Sequence, residues 1–230
     1  MEVIEKLRHQ LIVSCQAREG QPFNSPDLLS KMAEAAEMGG AKGIRADKPE
    51  NISKIKEVVS LPIIGIYKKR IPGKHVFITP SYEDAVAIIA AGADIVGIEC
   101  TFQDNRKEEL PLIIEKLKQN SHHPLLADVS TLEEAVFAQK IGFDLVATTL
   151  NGYTSYTSYQ KEFDFNLLDN MIKTLTIPVI AEGHIKTPIE AVKAIQHGAY
   201  SVVVGKAITM PSEITKWFVE ALKNYEEGLD

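Results

Sequence analysis

The chain has 230 residues, 45 % of them apolar and 24 % charged, with a formal charge of −6, an ordinary composition for one globular domain and too apolar for disorder. No basic stripe marks a nucleic-acid or membrane-surface partner, no apolar run approaches the ~20 residues of a membrane span, and Glu2, Glu5, Lys6 and Arg8 interrupt the segment where a signal peptide would run. Cys15 and Cys100 fit no metal spacing, which points to reduced thiols, a cytoplasmic location and small-molecule partners.

In chain order, a short apolar run rich in β-branched residues is followed by a longer amphipathic segment, and the pair recurs to the end. The strand-like run 11–15 precedes the helix-like stretch 27–38, and 42–46 precedes 52–59. Run 62–68 leads through a long connection, 69–79, to stretch 82–91, and 94–101 leads to 110–119. The last four pairs are 124–129 with 132–141, 144–150 with 166–174, 178–183 with 188–197, and 200–205 with 212–223. Gly40, Gly92, Gly142 and Gly198 stand where helices should end in a left-handed cap. Pro62, Pro124 and Pro178 open three runs at a position that gives up no ladder hydrogen bond. Thr131 with Glu134, and Thr187-Pro188 with Glu190, have capping-box spacing.

Eight such pairs predict parallel strands with right-handed crossovers, closed into a single-domain (β/α)8 barrel over 1–230. An open doubly wound sheet fits less well, because no G-x-G-x-x-G follows the first run. The connection 69–79 is long enough to lie over the barrel mouth as a lid.

In a barrel of this kind the chemistry sits at the carboxyl ends of the strands. The polar residues there are Gln16, Arg45, Lys68, Glu99, Asp128, Thr148 with Thr149, Glu182 and Lys206. Strands must end in something that faces water, which accounts for part of this set. It does not account for cations and carboxylates together, a mixture suited to acid–base chemistry on an anionic substrate. Gly183 and Gly205, after the last two strands, would let backbone amides approach a phosphate, or would simply make tight turns. His184 has no partner at metal spacing, so no metal is expected. His197 reads as a helix-end residue and Asp169 as part of a solvated face. Trp217 and Phe218 should pack on the barrel, an exposed part being available for a homodimer contact.

Several strings, in order, carry a resemblance: Leu11-Ile-Val-Ser-Cys-Gln16, Gly43-Ile-Arg45-Ala46, Pro62-Ile-Ile-Gly-Ile66 with Lys68, Leu126-Ala-Asp128, Thr148-Thr-Leu-Asn-Gly-Tyr-Thr154 and Ile180-Ala-Glu-Gly183. From about Leu11 to Ala221 the chain resembles the N-acetylmannosamine-6-phosphate 2-epimerases of bacterial sialic acid catabolism. The resemblance implies conversion of N-acetylmannosamine 6-phosphate to N-acetylglucosamine 6-phosphate without metal or nucleotide cofactor. It puts Lys68 at the catalytic lysine position, Glu182, Asp128 and Arg45 at active-site positions, and Gln16 among the substrate contacts. Glu99, Gly183, Gly205 and Lys206 complete the expected substrate-binding set. The chain departs from the family pattern at Glu99-Cys100-Thr101, where Asp-Ala-Thr is usual, and at Gly205-Lys206-Ala-Ile-Thr-Met210-Pro211, where Met210 replaces an arginine and Lys206 a glycine. Two other functions remain open to the sequence: a Schiff-base aldolase or lyase using Lys68 or Lys206, and a phosphosugar-binding barrel without catalysis.

Overall fold

A computed structural model of the chain describes residues 2–17 and 19–227. The apolar runs become strands β1 (Leu11–Cys15), β2 (Gly43–Asp47), β3 (Ile63–Ile66), β4 (Ile95–Glu99), β5 (Leu125–Asp128), β6 (Leu145–Ala147), β7 (Val179–Glu182) and β8 (Ser201–Val204). Each pairs in parallel with its neighbours, and β8 returns to β1, closing the barrel. The helices are α1 (Glu2–Glu5), α2 (Pro26–Met38), α3 (Pro49–Lys56), α4 (Tyr82–Ala90), α5 (Arg106–Asn120), α6 (Leu132–Ile141), α7 (Phe165–Thr174), α8 (Pro188–Gln196), α9 (Lys206–Thr209) and α10 (Pro211–Glu227).

The punctuation works as the sequence suggests. Gly40, Gly92, Gly142 and Gly198 all have φ between +94° and +101°, the left-handed region that a residue with a Cβ resists. Thr131–Glu134 and Thr187–Glu190 form reciprocal capping boxes, and Ser81–Asp84 forms a third.

Two layers of core follow from the two-residue side-chain period of each strand. Outward residues such as Val13, Ile44, Val96 and Val146 pack under the helices. Inward residues Ile12, Ile64, Ile95, Leu126, Leu145, Ile180 and Val203 fill the barrel interior. Leu7, fully buried, closes the interior from the amino-terminal end. A Cβ on Gly43 would meet Leu7 Cδ2 at 2.8 Å, so that glycine makes room for the plug.

Three features differ from the sequence reading. Run 62–68 stops being a ladder strand at Ile66, because the chain folds back: Lys68 and Ile78 form an antiparallel bridge, and the Lys69 N–H donates to the Phe77 carbonyl at 2.9 Å. Lys206, read from the sequence as a polar strand end, opens the short helix α9. Phe218, expected on the barrel, is 69 % exposed, and Trp217 is only half-buried. Among the described residues no helix is long and apolar enough to cross a membrane.

Candidate active site

The inward alternation that fills the barrel with aliphatic residues also delivers its polar groups. One step beyond Ile64, Leu126 and Ile180 in the same register come the inward positions at the strand ends, among them Asp128 and Glu182, and on β2 they include Arg45 and Asp47. Arg45 is 1 % exposed and forks between strands: Nη2 donates to Asp128 Oδ2 at 2.7 Å and Nη1 to Glu182 Oε2 at 2.9 Å. Burial alone disfavours the guanidinium charge, but Asp128 and Glu182 more than offset that and raise its pKa.

Lys68 approaches from the other side. Its backbone N–H donates to Asp47 Oδ1 at 2.7 Å, and its Nζ to Gln16 Oε1 at 2.5 Å. Gln16 in turn donates from Nε2 to Ser14 Oγ at 2.8 Å. Thr148 and Thr149 grip the opposite wall. The Thr148 hydroxyl donates to the Glu182 carbonyl at 2.8 Å and accepts from the Glu182 N–H at 3.0 Å, and the Thr149 hydroxyl donates to Asp128 Oδ1 at 2.5 Å.

These surroundings pull a base and an acid toward each other. Burial depresses the Lys68 pKa below the usual lysine range, with Arg45 adding to it, although Asp47, Glu182 and Asp128 oppose the change. For Glu182, burial pushes the carboxyl up to about 7, against the pull of Arg45 and with help from Asp128. A lysine that gives up its proton easily and a glutamic acid that keeps one near neutrality are a matched pair for moving a proton through a site.

The remaining expected residues are placed less centrally. Glu99, expected to contact substrate, is fully buried and committed to the chain itself. Its Oε2 accepts from the N–H groups of Phe77 (2.9 Å) and Ile78 (3.1 Å), and its Oε1 from Thr101 Oγ1 at 2.8 Å. A carboxylate so fully engaged anchors the 69–79 segment rather than presenting itself to a small molecule. The Arg106 guanidinium, donating to the carbonyls of Thr79, Pro80 and Glu99, fastens the end of the same segment. Gly183 has φ +96°, which requires glycine, whereas Gly205 has an ordinary negative φ. Lys206 Nζ lies 3.4 Å from the Tyr153 hydroxyl, and the Tyr153 ring stacks on His184 at 4.7 Å. Met210 lines a mostly apolar cleft with Pro22, Phe23 and Pro211. His197 pairs with Asp169 at 2.7 Å, so Asp169 is not simply a solvated residue.

Sequence reasoning missed Asp47 and the specific aim of Thr149. Asp47 follows Arg45 by two, the inward period, and would have been found by extending run 42–46 one residue. Among the described residues no group of three or more His, Cys, Asp or Glu is placed to hold a metal ion.

Comparison with known proteins gives a consistent result. The family model for N-acetylmannosamine-6-phosphate epimerases (NanE) matches residues 29–224. A relative from Caldanaerobacter subterraneus subsp. tengcongensis, named an N-acetylmannosamine-6-phosphate 2-epimerase, is 47 % identical, covering 97 % of this chain and 95 % of its own. One of the same name from Shouchella clausii is 45 % identical, covering 96 % and 99 %. The solved structure of the N-acetylmannosamine-6-phosphate 2-epimerase from Clostridium perfringens superposes with a TM-score of 0.91 at 40 % identity, covering 95 % of each chain. A thiamine phosphate pyrophosphorylase from Pyrococcus furiosus, at 19 % identity and a TM-score of 0.62, is similar in fold alone.

Proposed function

Because the chain belongs to the N-acetylmannosamine-6-phosphate epimerase family, we propose that it is an isomerase that inverts C2 of N-acetylmannosamine 6-phosphate to give N-acetylglucosamine 6-phosphate. The step belongs to amino-sugar catabolism, and on the strength of the family to the breakdown of sialic acid. The single observation that best supports a proton-transfer reaction is the opposed tuning of Lys68 and Glu182 around one buried arginine.

C2 carries a proton made acidic by the neighbouring aldehyde carbon of the open-chain sugar. In this reading the neutral Lys68 amine removes it, the electron pair moves into an enolate, and Glu182 returns a proton to the opposite face. Arg45 holds Glu182 and Asp128 in place and lowers the energy of nearby negative charge. Gln16 positions Lys68 Nζ, and Gly183, Gly205 and Lys206 face the substrate's anionic end. Both proton carriers are side chains, so the reaction as written needs neither metal nor nucleotide. Glu182 must be protonated for the forward direction, and that direction should slow as pH rises through about 7.

The test is exchange of the C2 proton of N-acetylmannosamine 6-phosphate in deuterated water. The wild-type chain should exchange it and form product; Lys68→Ala should lose exchange, and Glu182→Gln should lose product formation, both variants folding normally. Wild-type exchange in Lys68→Ala removes the lysine from the mechanism. A lysine of depressed pKa also suits imine formation, so borohydride treatment with the sugar present is the discriminating control: a trapped adduct on Lys68 would replace the epimerase reading with a Schiff-base one.

A further inference from the structure

We propose that Thr149 is a positioning residue for this chemistry, its hydroxyl fixing the Asp128–Arg45–Glu182 network and so aiming the Glu182 carboxyl. The inference rests on the epimerase reading for its purpose, but its geometry stands alone. Asp128 is fully buried, and its two oxygens are held from two sides, Oδ2 by Arg45 at 2.7 Å and Oδ1 by Thr149 at 2.5 Å. A carboxylate tied through one oxygen can pivot about that bond, whereas one tied through both has a fixed plane. Arg45 depends on that plane, because its own Nε is buried and has no hydrogen-bond partner among the described residues. Its orientation is therefore set by Nη2 on Asp128 and Nη1 on Glu182. Thr149 thus supplies the outside fixed point from which Asp128, Arg45 and finally Glu182 take their direction.

The neighbouring threonine makes the arrangement more pointed. Thr148 binds the main chain of Glu182 through both its N–H and its carbonyl, so one residue sets the backbone of the acid and the next sets its carboxylate partner. Thr149 donates its single hydroxyl proton to Asp128 Oδ1, so it reaches Glu182 through Asp128 and Arg45; loosening Arg45, whose charge favours the ionised Glu182, should make Glu182 hold its proton more tightly. A hydroxyl present only to fill its own valence at a turn would have neither effect.

The experiment compares wild type, Thr149→Val, which keeps the branched shape, and Thr149→Ser, which keeps the hydroxyl. In the full-length protein without ligand, the Glu182 carboxyl carbon is titrated by NMR, and kcat and KM are then measured with N-acetylmannosamine 6-phosphate. The expected result in Thr149→Val is a Glu182 titration midpoint moved upward, with kcat reduced about 10- to 100-fold, the range for a misplaced catalytic group, and KM nearly unchanged. Thr149→Ser should restore both. A midpoint and kcat in Thr149→Val equal to wild type overturn the proposal, as does a loss that serine fails to rescue. If wild type itself does not turn the sugar over, the epimerase reading fails, while the titration still decides what Thr149 does to Glu182.

Discussion

Replacing Arg45 with methionine would leave Asp128 and Glu182 in the barrel mouth without their shared cation. Both ion pairs are short, at 2.7 and 2.9 Å, and all three groups are buried or nearly so. Removing one partner from a buried ion pair costs about 3–5 kcal/mol, because the remaining charge keeps its desolvation penalty and loses its compensation. The sign with pH follows from linkage. Without Arg45 the folded-state pKa of Glu182, already pushed up to about 7 by burial, rises further above the unfolded value of about 4. The folded state then binds more protons than the unfolded state across that window, so stability falls as pH rises through it. Each further unit by which the Glu182 pKa rises corresponds to about 1.4 kcal/mol. Urea unfolding followed by circular dichroism at pH 5 and pH 8 would show a deficit relative to wild type that is small at pH 5 and larger at pH 8, with m unchanged. Equal deficits at the two pH values would refute the reasoning, since lost packing has no cause to titrate.

The other perturbations are simpler. Leu7→Ala opens the amino-terminal end of the barrel and should cost about 2–5 kcal/mol with kcat unaffected; a loss under about 1 kcal/mol would mean that Leu7 is not the plug its burial suggests. Glu99→Ala strands the amides of Phe77 and Ile78 and should speed their hydrogen exchange, whereas Glu99→Gln keeps an oxygen for both and should not; unchanged exchange in the alanine variant would free Glu99 for a substrate role. Lys206→Ala should weaken binding of the phosphorylated sugar by about 1 kcal/mol, the low end for a charge-assisted contact because the side chain is partly in solvent, and leave the unphosphorylated sugar untouched. Titration of both sugars that found equal losses, or none, would remove Lys206 from the phosphate site.

What could be read in advance depended on whether a residue's role was local. Strand runs, glycine stops and capping boxes are written in neighbouring residues, and they lead directly to the eightfold rhythm. Arg45, Asp128 and Glu182 were legible because the inward period of a barrel strand continues past its apolar part. Helix α1 was not, since four residues carry no helical period, and its purpose appears only when Leu7 meets Gly43 across the barrel floor. Glu99 looked like its strand-end neighbours until the 69–79 segment folded back and occupied it. Thr149 was visible as a polar strand end, but its aim depends on Asp128, 21 residues earlier, a distance over which no local pattern speaks.

The join between β1 and β8 bears on how the protein is made. Leu11 pairs with Val202, about 190 residues later. The same join carries the His9 N–H to the Tyr200 carbonyl, the Tyr200 hydroxyl to the Ile4 carbonyl, and the Thr209 hydroxyl to the Ser14 carbonyl. During synthesis the first strand emerges from the ribosome long before its second neighbour exists. Until then one side of β1 is an open edge, the kind of surface that recruits foreign strands. Closure is thus a late, long-range event that should set the pace of folding. A nascent chain stalled before residue 200 should remain a substrate for chaperones, however well formed its earlier βα units are.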